Sequence, residues 1–328
     1  MDAEEFEGKG IGVSSCSFSL SSSIRLRGRF SERLNLRRFP VTSFGAMPSL
    51  RTLLVLSRAS NLPTVWSNCL AGWWLGGHAS TRDLPFLLVG VTLLYVGGMY
   101  LNDAFDANFD RQHRKERSIP RGDISRAMVS QLALLWFLLG LASLFWIGDT
   151  TGLLGVALVF CIVLYDAVHK LITFSPLLMG ACRFLVYPMA ASIGAGVTGW
   201  SVWCGLALGS YVVGLSFLAR RESARGPVQH WPLIFLSAPI VLALVMNAGD
   251  YRRGAALLSV VLALWVLRCL RTYLWALDRQ IGRTVAGLLA GIVFVDWLAV
   301  VDAPRNFGLV FLVLFGLAIL FQRFVPAT

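Results

Sequence analysis

The chain has 328 residues, of which 56% are hydrophobic and only 14% are charged. This composition excludes an ordinary soluble globular protein and predicts a protein built into a membrane. The net charge of +11 does not indicate a nucleic-acid partner, because the basic residues lie in the amino-terminal segment and in alternate loops instead of on one soluble face.

The amino-terminal segment, residues 1–46, differs in composition from the rest of the chain. An acidic start is followed by a Ser-rich stretch and then by arginines, without the apolar core of a secretory signal peptide. We expect a disordered extension that at most lies on an anionic membrane surface. A transit peptide and a wrongly assigned start codon are the alternatives, since Met47 would naturally open a membrane domain of residues 47–328.

The rest of the chain is a series of apolar stretches, each long enough to cross a membrane as a helix, which takes about 20 residues. Asp302, Pro304 and Arg305 form a short hinge between the last two stretches, so the count is nine or ten. We therefore predict an all-α, polytopic helical bundle with a central cavity that opens at the cytoplasmic face. The predicted spans are residues 60–77, 84–104, 126–147, 150–167, 175–195, 199–219, 231–248, 253–275, 281–300 and 305–323.

Basic residues predict the orientation of the bundle, because loops rich in Lys and Arg stay on the cytoplasmic side. The loops after the second, sixth and eighth spans carry most of the cations. We expect a multi-pass protein of a bacterial inner membrane or an organelle membrane, with these loops in the cytoplasm. Their basic residues are Arg111, Arg114, Lys115, Arg117, Arg121, Arg126, Arg220, Arg221, Arg225, Arg279 and Arg283.

The second span ends in NDAFDANFD, residues 102–110, which holds three aspartates. On a helix Asp103, Asp106 and Asp110 lie within a stripe about 60 degrees wide, so their carboxylates converge. Converging anions repel one another, and a divalent cation between them would remove that cost. Oxygen ligands of this kind suit Mg²⁺, which is usually held by carboxylates together with substrate phosphates. The motif therefore predicts a magnesium-bridged diphosphate ligand.

Four cations follow the motif at once, namely Arg111, Arg114, Lys115 and Arg117. Guanidinium groups bind phosphate oxygens in a bidentate manner, so one short segment offers both metal and anion binding. The alternative is a solvated acidic loop beside cations that only mark the cytoplasmic side.

The motif resembles the signature of the UbiA superfamily of intramembrane aromatic prenyltransferases, NDxxDxxxD followed by R-P-[IL]-P-x-G. The second element reads RSIPRG here, with Ser118 where proline is usual, and SRASNLPT at residues 57–64 is similar to the family's usual start of the first span. The resemblance in helix order covers about residues 50–323.

This resemblance implies roles for the residues of the motif. The three aspartates would hold magnesium on a prenyl diphosphate. Asn102 would contribute to the same site, and Arg117 would contact the diphosphate.

Family members normally carry a second aspartate-rich motif after the sixth span, where this chain reads FLARRESARG. Glu222 is the one carboxylate in that loop, so a second magnesium would have poor ligation. We expect Arg220 and Arg221 to neutralise the diphosphate directly. The alternative is a loop that has lost its metal site and, with it, the chemistry.

The family's Tyr-x-x-x-Lys element appears as YDAVHK, residues 165–170. Tyr165 fits the element, but His169 takes the fifth position and Lys170 comes one residue late. Either cation could reach a phosphate. Asp166 is an additional acid that either joins the metal site or pairs with Lys170.

Arg183 lies well inside the fifth span, where a cation costs at least about 2.5 kcal/mol. Asp296, in the ninth span, is a candidate ion-pair partner, and contact with substrate in the central cavity is the alternative. Tyr95 and Tyr100 lie on the helix that ends in the aspartates, so they could face the same cavity and stabilise an allylic cation.

YDAVHK, SPLLMGACR and ARRE are most similar to the divergent EboC-like branch of the superfamily, which is associated with bacterial ebo gene clusters. The resemblance implies magnesium-dependent transfer of a prenyl group from a prenyl diphosphate to an aromatic or lipophilic acceptor within the membrane. The altered second motif keeps an alternative open, a catalytically degenerate protein that binds or transports a prenylated or aromatic metabolite.

Overall fold

The computed structural model describes residues 48–78, 81–220, 230–274 and 281–327, and these residues form helices and connecting turns without a β-strand. The amino-terminal extension predicted for residues 1–46 lies outside them. The helices are α1 (Leu50–Leu56), α2 (Leu62–Leu75), α3 (Leu84–His113), α4 (Ser118–Arg121), α5 (Arg126–Ile147), α6 (Asp149–Val168), α7 (Ser175–Ala191), α8 (Gly199–Ala219), α9 (Pro232–Met246), α10 (Tyr251–Leu274), α11 (Ile281–Ala299) and α12 (Arg305–Phe321).

Local sequence explains where several helices begin. Proline occupies the first or second position of α2, α3, α7 and α9, where its missing N–H group would have no intrahelical partner. The side chains of Ser125 and Thr198 accept hydrogen bonds from the first turns of α5 and α8. These signals separate helices that are otherwise almost continuously apolar.

Each of the ten predicted spans coincides with a helix. By length and composition six of these helices can cross a membrane, namely α3, α5, α6, α8, α10 and α11, and α9 and α12 are shorter apolar helices. The chain is therefore an integral, multi-pass membrane protein, while the number of nine or ten spans stays a prediction.

Helix α3 continues past residue 104, the end of the predicted span, to His113, so the three aspartates lie on one helix as their predicted stripe requires. Its 30 residues extend for about 45 Å, whereas a hydrocarbon core is about 30 Å thick. The aspartate motif therefore lies on a helical extension beyond the apolar part of α3.

Helix α2 packs against α3, α7, α11 and α12, and α7 packs against α8. Glycine permits two of these contacts: a Cβ atom on Gly72 would lie 2.7 Å from the Tyr187 carbonyl oxygen, and one on Gly180 would lie 2.7 Å from the Gly209 carbonyl oxygen. The close approach of these backbones brings polar side chains of α2, α7 and α11 together inside the bundle.

One end of the bundle collects the predicted site residues. Helices α3, α6 and α8 end there, and α2, α5, α7 and α9 begin there, as contacts of Arg58 with Asn102, of Asn102 with Asp166 and of Arg220 with Ser175 show. We call it the aspartate end.

Candidate active site at the aspartate end

Asp103 lies between two arginines that come from different parts of the chain. Arg58 Nη2 lies 3.4 Å and Arg117 Nη1 lies 3.3 Å from Asp103 Oδ1. The Asp103 side chain is 9% exposed, so both ion pairs are largely shielded from water. Arg117 thus lies beside the motif, and its contact with a diphosphate stays a prediction.

Asp106 contacts the turn that follows α6. Lys170 Nζ lies 2.5 Å and His169 Nε2 lies 3.3 Å from Asp106 Oδ1. The other ring nitrogen of His169 contacts the Asp166 carbonyl oxygen, and the ring stacks on Tyr165 with centroids 5.2 Å apart. Burial alone would lower the pKa of His169, but the hydrogen bond and charge of Asp106 outweigh it and raise this pKa above its ordinary value.

Asn102 joins α3 to α6. Its side chain donates a 3.0 Å hydrogen bond to Asp166 Oδ1 and accepts one of 3.1 Å from Arg58 Nη2. Asp166 therefore joins the aspartate end, and the alternative pairing with Lys170 is wrong, because Lys170 contacts Asp106 instead.

Asp110 Oδ1 and Asp166 Oδ2 at this end are buried and have no hydrogen-bond partner among the residues that the structure describes. A buried oxygen without a donor is costly, and a metal ion is one group that removes the cost. The oxygen donors suit magnesium. In the described parts of the chain, however, no three His, Cys, Asp or Glu side chains are arranged to hold an ion. The carboxylates of Asp103 and Asp106 contact basic side chains instead.

Other predicted site residues lie apart from the motif. Arg220 Nη1 donates to the carbonyl oxygens of Ile172 and Thr173 and to Ser175 Oγ, so it fastens the α6–α7 loop. The Tyr100 ring is 2% exposed and its hydroxyl donates to the Leu53 carbonyl oxygen, which places it in packing against α1 and not in a cavity. Arg221, Glu222 and Arg225 lie outside the described residues.

Sequence reasoning missed Arg58. It precedes α2 with φ 44° and ψ 50°, in the left-handed region, and its guanidinium contacts both Asn102 and Asp103. One arginine at the start of an apolar stretch gives no signal of its own. The similarity of residues 57–64 to the family's first span was the available clue.

A second polar cluster lies within the bundle, and we call it the buried network. The Asp296 carboxylate accepts hydrogen bonds from Ser67 Oγ, from Asn68 Nδ2 at 2.7 and 2.8 Å, and from Tyr187 Oη at 2.7 Å. Arg183 Nη1 donates to Asn68 Oδ1 at 2.6 Å. The predicted Arg183–Asp296 pair is thus bridged by an amide and is not a direct contact.

The family model described as the UbiA prenyltransferase family matches residues 60–326. A digeranylgeranylglyceryl phosphate synthase of Methanoculleus marisnigri is 26% identical over 269 residues, which cover 79% of this chain and 86% of that protein.

The fold is similar to that of two solved structures. One is the apo structure of a UbiA homologue from Aeropyrum pernix K1, with a TM-score of 0.58 and 16% identity over 76% of this chain and 98% of that one. The other is a UbiA homologue from Archaeoglobus fulgidus bound to GPP and Mg²⁺, with a TM-score of 0.57 and 13% identity over 82% and 98%. Together with the family match, the aspartate motif and the helical bundle show that the chain belongs to the UbiA prenyltransferase family.

Proposed function

We propose that this protein transfers a prenyl group from a prenyl diphosphate to a lipophilic or aromatic acceptor within the membrane, with magnesium. The observation that carries the proposal is the aspartate end itself, where the carboxylates of one helical stripe lie beside Arg58, Arg117, His169 and Lys170. The carboxylates can bind a magnesium ion, and the basic side chains beside them can bind a diphosphate.

Asp103, Asp106 and Asp110 would hold the magnesium, with Asn102 fixing the position of Asp166 beside them. Magnesium bound there would neutralise the negative charge that develops on the diphosphate as it leaves. Glu222 and Arg221 stay proposed contributors from the loop after α8.

The cations at this end have a second task in the proposal. Arg58, Arg117 and Lys170 exchange a carboxylate partner for diphosphate oxygens when the substrate binds, and so stabilise the leaving group. The bond between the allylic carbon and the diphosphate oxygen breaks with its electron pair on the diphosphate. The acceptor's nucleophilic atom forms the new bond to that carbon, and the acceptor then releases a proton to water. The apolar prenyl chain stays among the helices and the lipid.

We place the aspartate end on the cytoplasmic side, because Arg111, Arg114, Lys115 and Arg117 follow the motif. The solved homologue with GPP and Mg²⁺ supports the donor class and the metal. A carrier without catalysis gains no support, since the relative from Methanoculleus is a synthase. Membership of the EboC-like branch stays a prediction.

The test incubates membranes that contain the protein with radiolabelled prenyl diphosphates of different chain lengths, with and without Mg²⁺. We expect magnesium-dependent release of diphosphate and a new lipophilic product. Asp106→Asn should lower the rate by about a hundredfold or more. Asp123→Asn is the matched control, because Asp123 pairs with the exposed Arg121 away from the motif. Equal rates without magnesium, or in Asp106→Asn, would contradict the proposal.

A further inference from the structure

The guanidinium of Arg183 forms hydrogen bonds on one side only, with Asn68 and Thr64 of α2. Its Nη1 donates to Asn68 Oδ1 and, at 3.4 Å, to the Thr64 carbonyl oxygen, and its Nη2 donates to Thr64 Oγ1 at 3.3 Å. A guanidinium has five N–H donors. The Nε–H and the second hydrogen of Nη2 have no partner among the residues that the structure describes. Both lie on the edge of the guanidinium that can bind an oxyanion in a bidentate manner.

Asp296 does not occupy that edge. Its carboxylate is fully buried and already accepts hydrogen bonds from Ser67, Asn68 and Tyr187. Within the described residues no carboxylate forms a direct ion pair with Arg183. The buried network therefore fixes the guanidinium through Asn68 and Thr64 while the remaining edge stays available.

The depth of Arg183 makes this arrangement informative. A cation inside a span is costly, and such residues usually have a partner or a function. The side chain is half-buried and not closed off, and its guanidinium lies 5.9 Å from the centre of the Tyr95 ring on α3. The available edge thus lies inside the bundle, next to the helix that carries the aspartates.

Tyr95 links this position to the aspartate end. Its hydroxyl lies 3.4 Å from the Arg58 carbonyl oxygen, and Arg58 contacts Asn102 and Asp103. Tyr95 precedes Asn102 by seven residues, which is about 10 Å along a helix. Arg183 is therefore too deep to share the diphosphate, yet near enough for a molecule that meets the reactive prenyl carbon.

From this geometry we infer that Arg183 binds an oxyanion, a carboxylate or a phosphate, on the acceptor. The inference rests on the proposed prenyl transfer, and it narrows the acceptor to molecules with an anionic group. The nucleophilic atom of the acceptor lies about one aromatic ring or a short chain away from that group, toward the aspartates. Thr64 and Asn68 act as positioning residues for the guanidinium.

The test measures equilibrium binding of three small probes to the full-length protein in lipid nanodiscs. Benzoate and phenyl phosphate carry the two oxyanions, and benzamide is their neutral counterpart. We expect at least one anion to bind more tightly than benzamide, and the preferred anion tells carboxylate from phosphate. Arg183→Gln should weaken anion binding by about tenfold, the loss expected for a charge-assisted hydrogen bond.

Matched variants separate binding from folding. Arg268→Gln replaces another helical arginine, which lies over Trp265 on α10, and should leave anion binding unchanged. Arg183→Lys keeps the charge without the bidentate edge, and should bind anions less tightly than the wild type. If Arg183→Gln does not fold, the affinity of Arg183→Lys for the anions tests the inference instead.

Outcomes for this inference and for the proposed function are distinct. The inference would be overturned if no anion bound, if benzoate bound no more tightly than benzamide, or if both Arg183 variants bound anions as the wild type does. None of these results would contradict magnesium-dependent prenyl transfer. Asp103→Asn should lose prenyl transfer and still bind the anion. Anion binding at Arg183 in a protein that never releases diphosphate would overturn the proposed function instead.

Discussion

The protein holds carboxylates near cations in two regions, and it does so in opposite ways. At the aspartate end, Asp106 and Lys170 meet with side chains 17% and 38% exposed, and within the described parts of the chain one carboxylate oxygen each of Asp110 and Asp166 has no partner. In the buried network, Asp296 is 0% exposed and accepts from three side chains. The carboxylates of the first region can therefore accept a further ligand, whereas the Asp296 carboxylate of the second region is already fully hydrogen-bonded.

The difference shows where a ligand can replace the partner of a charged side chain and where it cannot. A partly exposed ion pair contributes little, up to about 1 kcal/mol, so a ligand can replace one partner easily. Breaking a buried pair costs about 3 to 5 kcal/mol, because a charge is left without compensation. We therefore expect mutations at the aspartate end to affect chemistry, and those at Asp296 to affect folding.

The largest effect expected is on stability, in Asp296→Ala. The change leaves the buried donors of Ser67, Asn68 and Tyr187 without their acceptor, at about 1 to 3 kcal/mol each, so the free energy of unfolding should fall by about 3 to 5 kcal/mol. Unfolding in a denaturing detergent measures it. Asp302→Ala is the matched control, since Asp302 accepts one hydrogen bond from Trp74 in an exposed place. If both variants lost a similar amount of unfolding free energy, the buried network would not contribute more to stability than an exposed hydrogen bond does.

Asp103→Asn should give the opposite result. The prenyl transfer rate should fall by about a hundredfold, because a metal ligand loses its charge. The free energy of unfolding should fall by less than in Asp296→Ala, because two shielded ion pairs are lost but the amide oxygen can still accept hydrogen bonds from Arg58 and Arg117. Product formation and detergent unfolding measure the two quantities. Asp149→Asn, in the exposed first turn of α6 at the other end, serves as control. If Asp103→Asn unfolded readily but kept its prenyl transfer rate, Asp103 would serve the stability of the fold and not the chemistry.

Tyr100→Phe sharpens the comparison within α3 itself. Loss of the 3.1 Å hydrogen bond to the Leu53 carbonyl oxygen should lower the free energy of unfolding by about 1 kcal/mol. The transfer rate should not change, because the ring packs against α1. A tenfold slower rate at unchanged stability would restore Tyr100 to the substrate cavity.

The smallest effect on stability is expected for Lys170→Met. Its ion pair with Asp106 is partly exposed, so the free energy of unfolding should change by less than about 1 kcal/mol. The KM for the prenyl diphosphate should rise by about threefold to tenfold, because one phosphate-binding cation is gone. Lys115→Met removes an exposed cation from the loop after α3 and should leave KM unchanged. Equal KM values in the two variants would show that Lys170 does not meet the substrate.

The helices were predictable from the sequence, because long apolar stretches separated by charges and by proline leave few alternatives. The apolar span of α3 was predicted to end at residue 104, and the helical stripe of aspartates predicted that the helix continues beyond it, as it does to His113. The burial of Asp103 and Asp110 was not predictable, because it depends on tertiary contacts with neighbouring segments.

Side-chain pairings were harder to predict than helices. The sequence left two alternatives for Asp166, the metal site or a pair with Lys170, whereas α6 ends at Val168 and Lys170 contacts Asp106 on α3. The cost of an intramembrane charge suggested an ion pair of Arg183 with Asp296, but the side chain of Asn68 lies between them. The intervening Asn68 could not be foreseen, because it depends on the rotation of α2, α7 and α11 about their axes.

The backbone of Arg58 is strained, and the contacts of its side chain compensate for that strain. A residue with a Cβ atom is disfavoured at φ 44° by about 1 to 3 kcal/mol, and glycine would remove most of that penalty. Arg58→Gly would also remove the guanidinium that contacts Asn102 and the shielded carboxylate of Asp103, so its unfolding temperature should not rise. The strained backbone conformation thus positions a cation beside the aspartate motif.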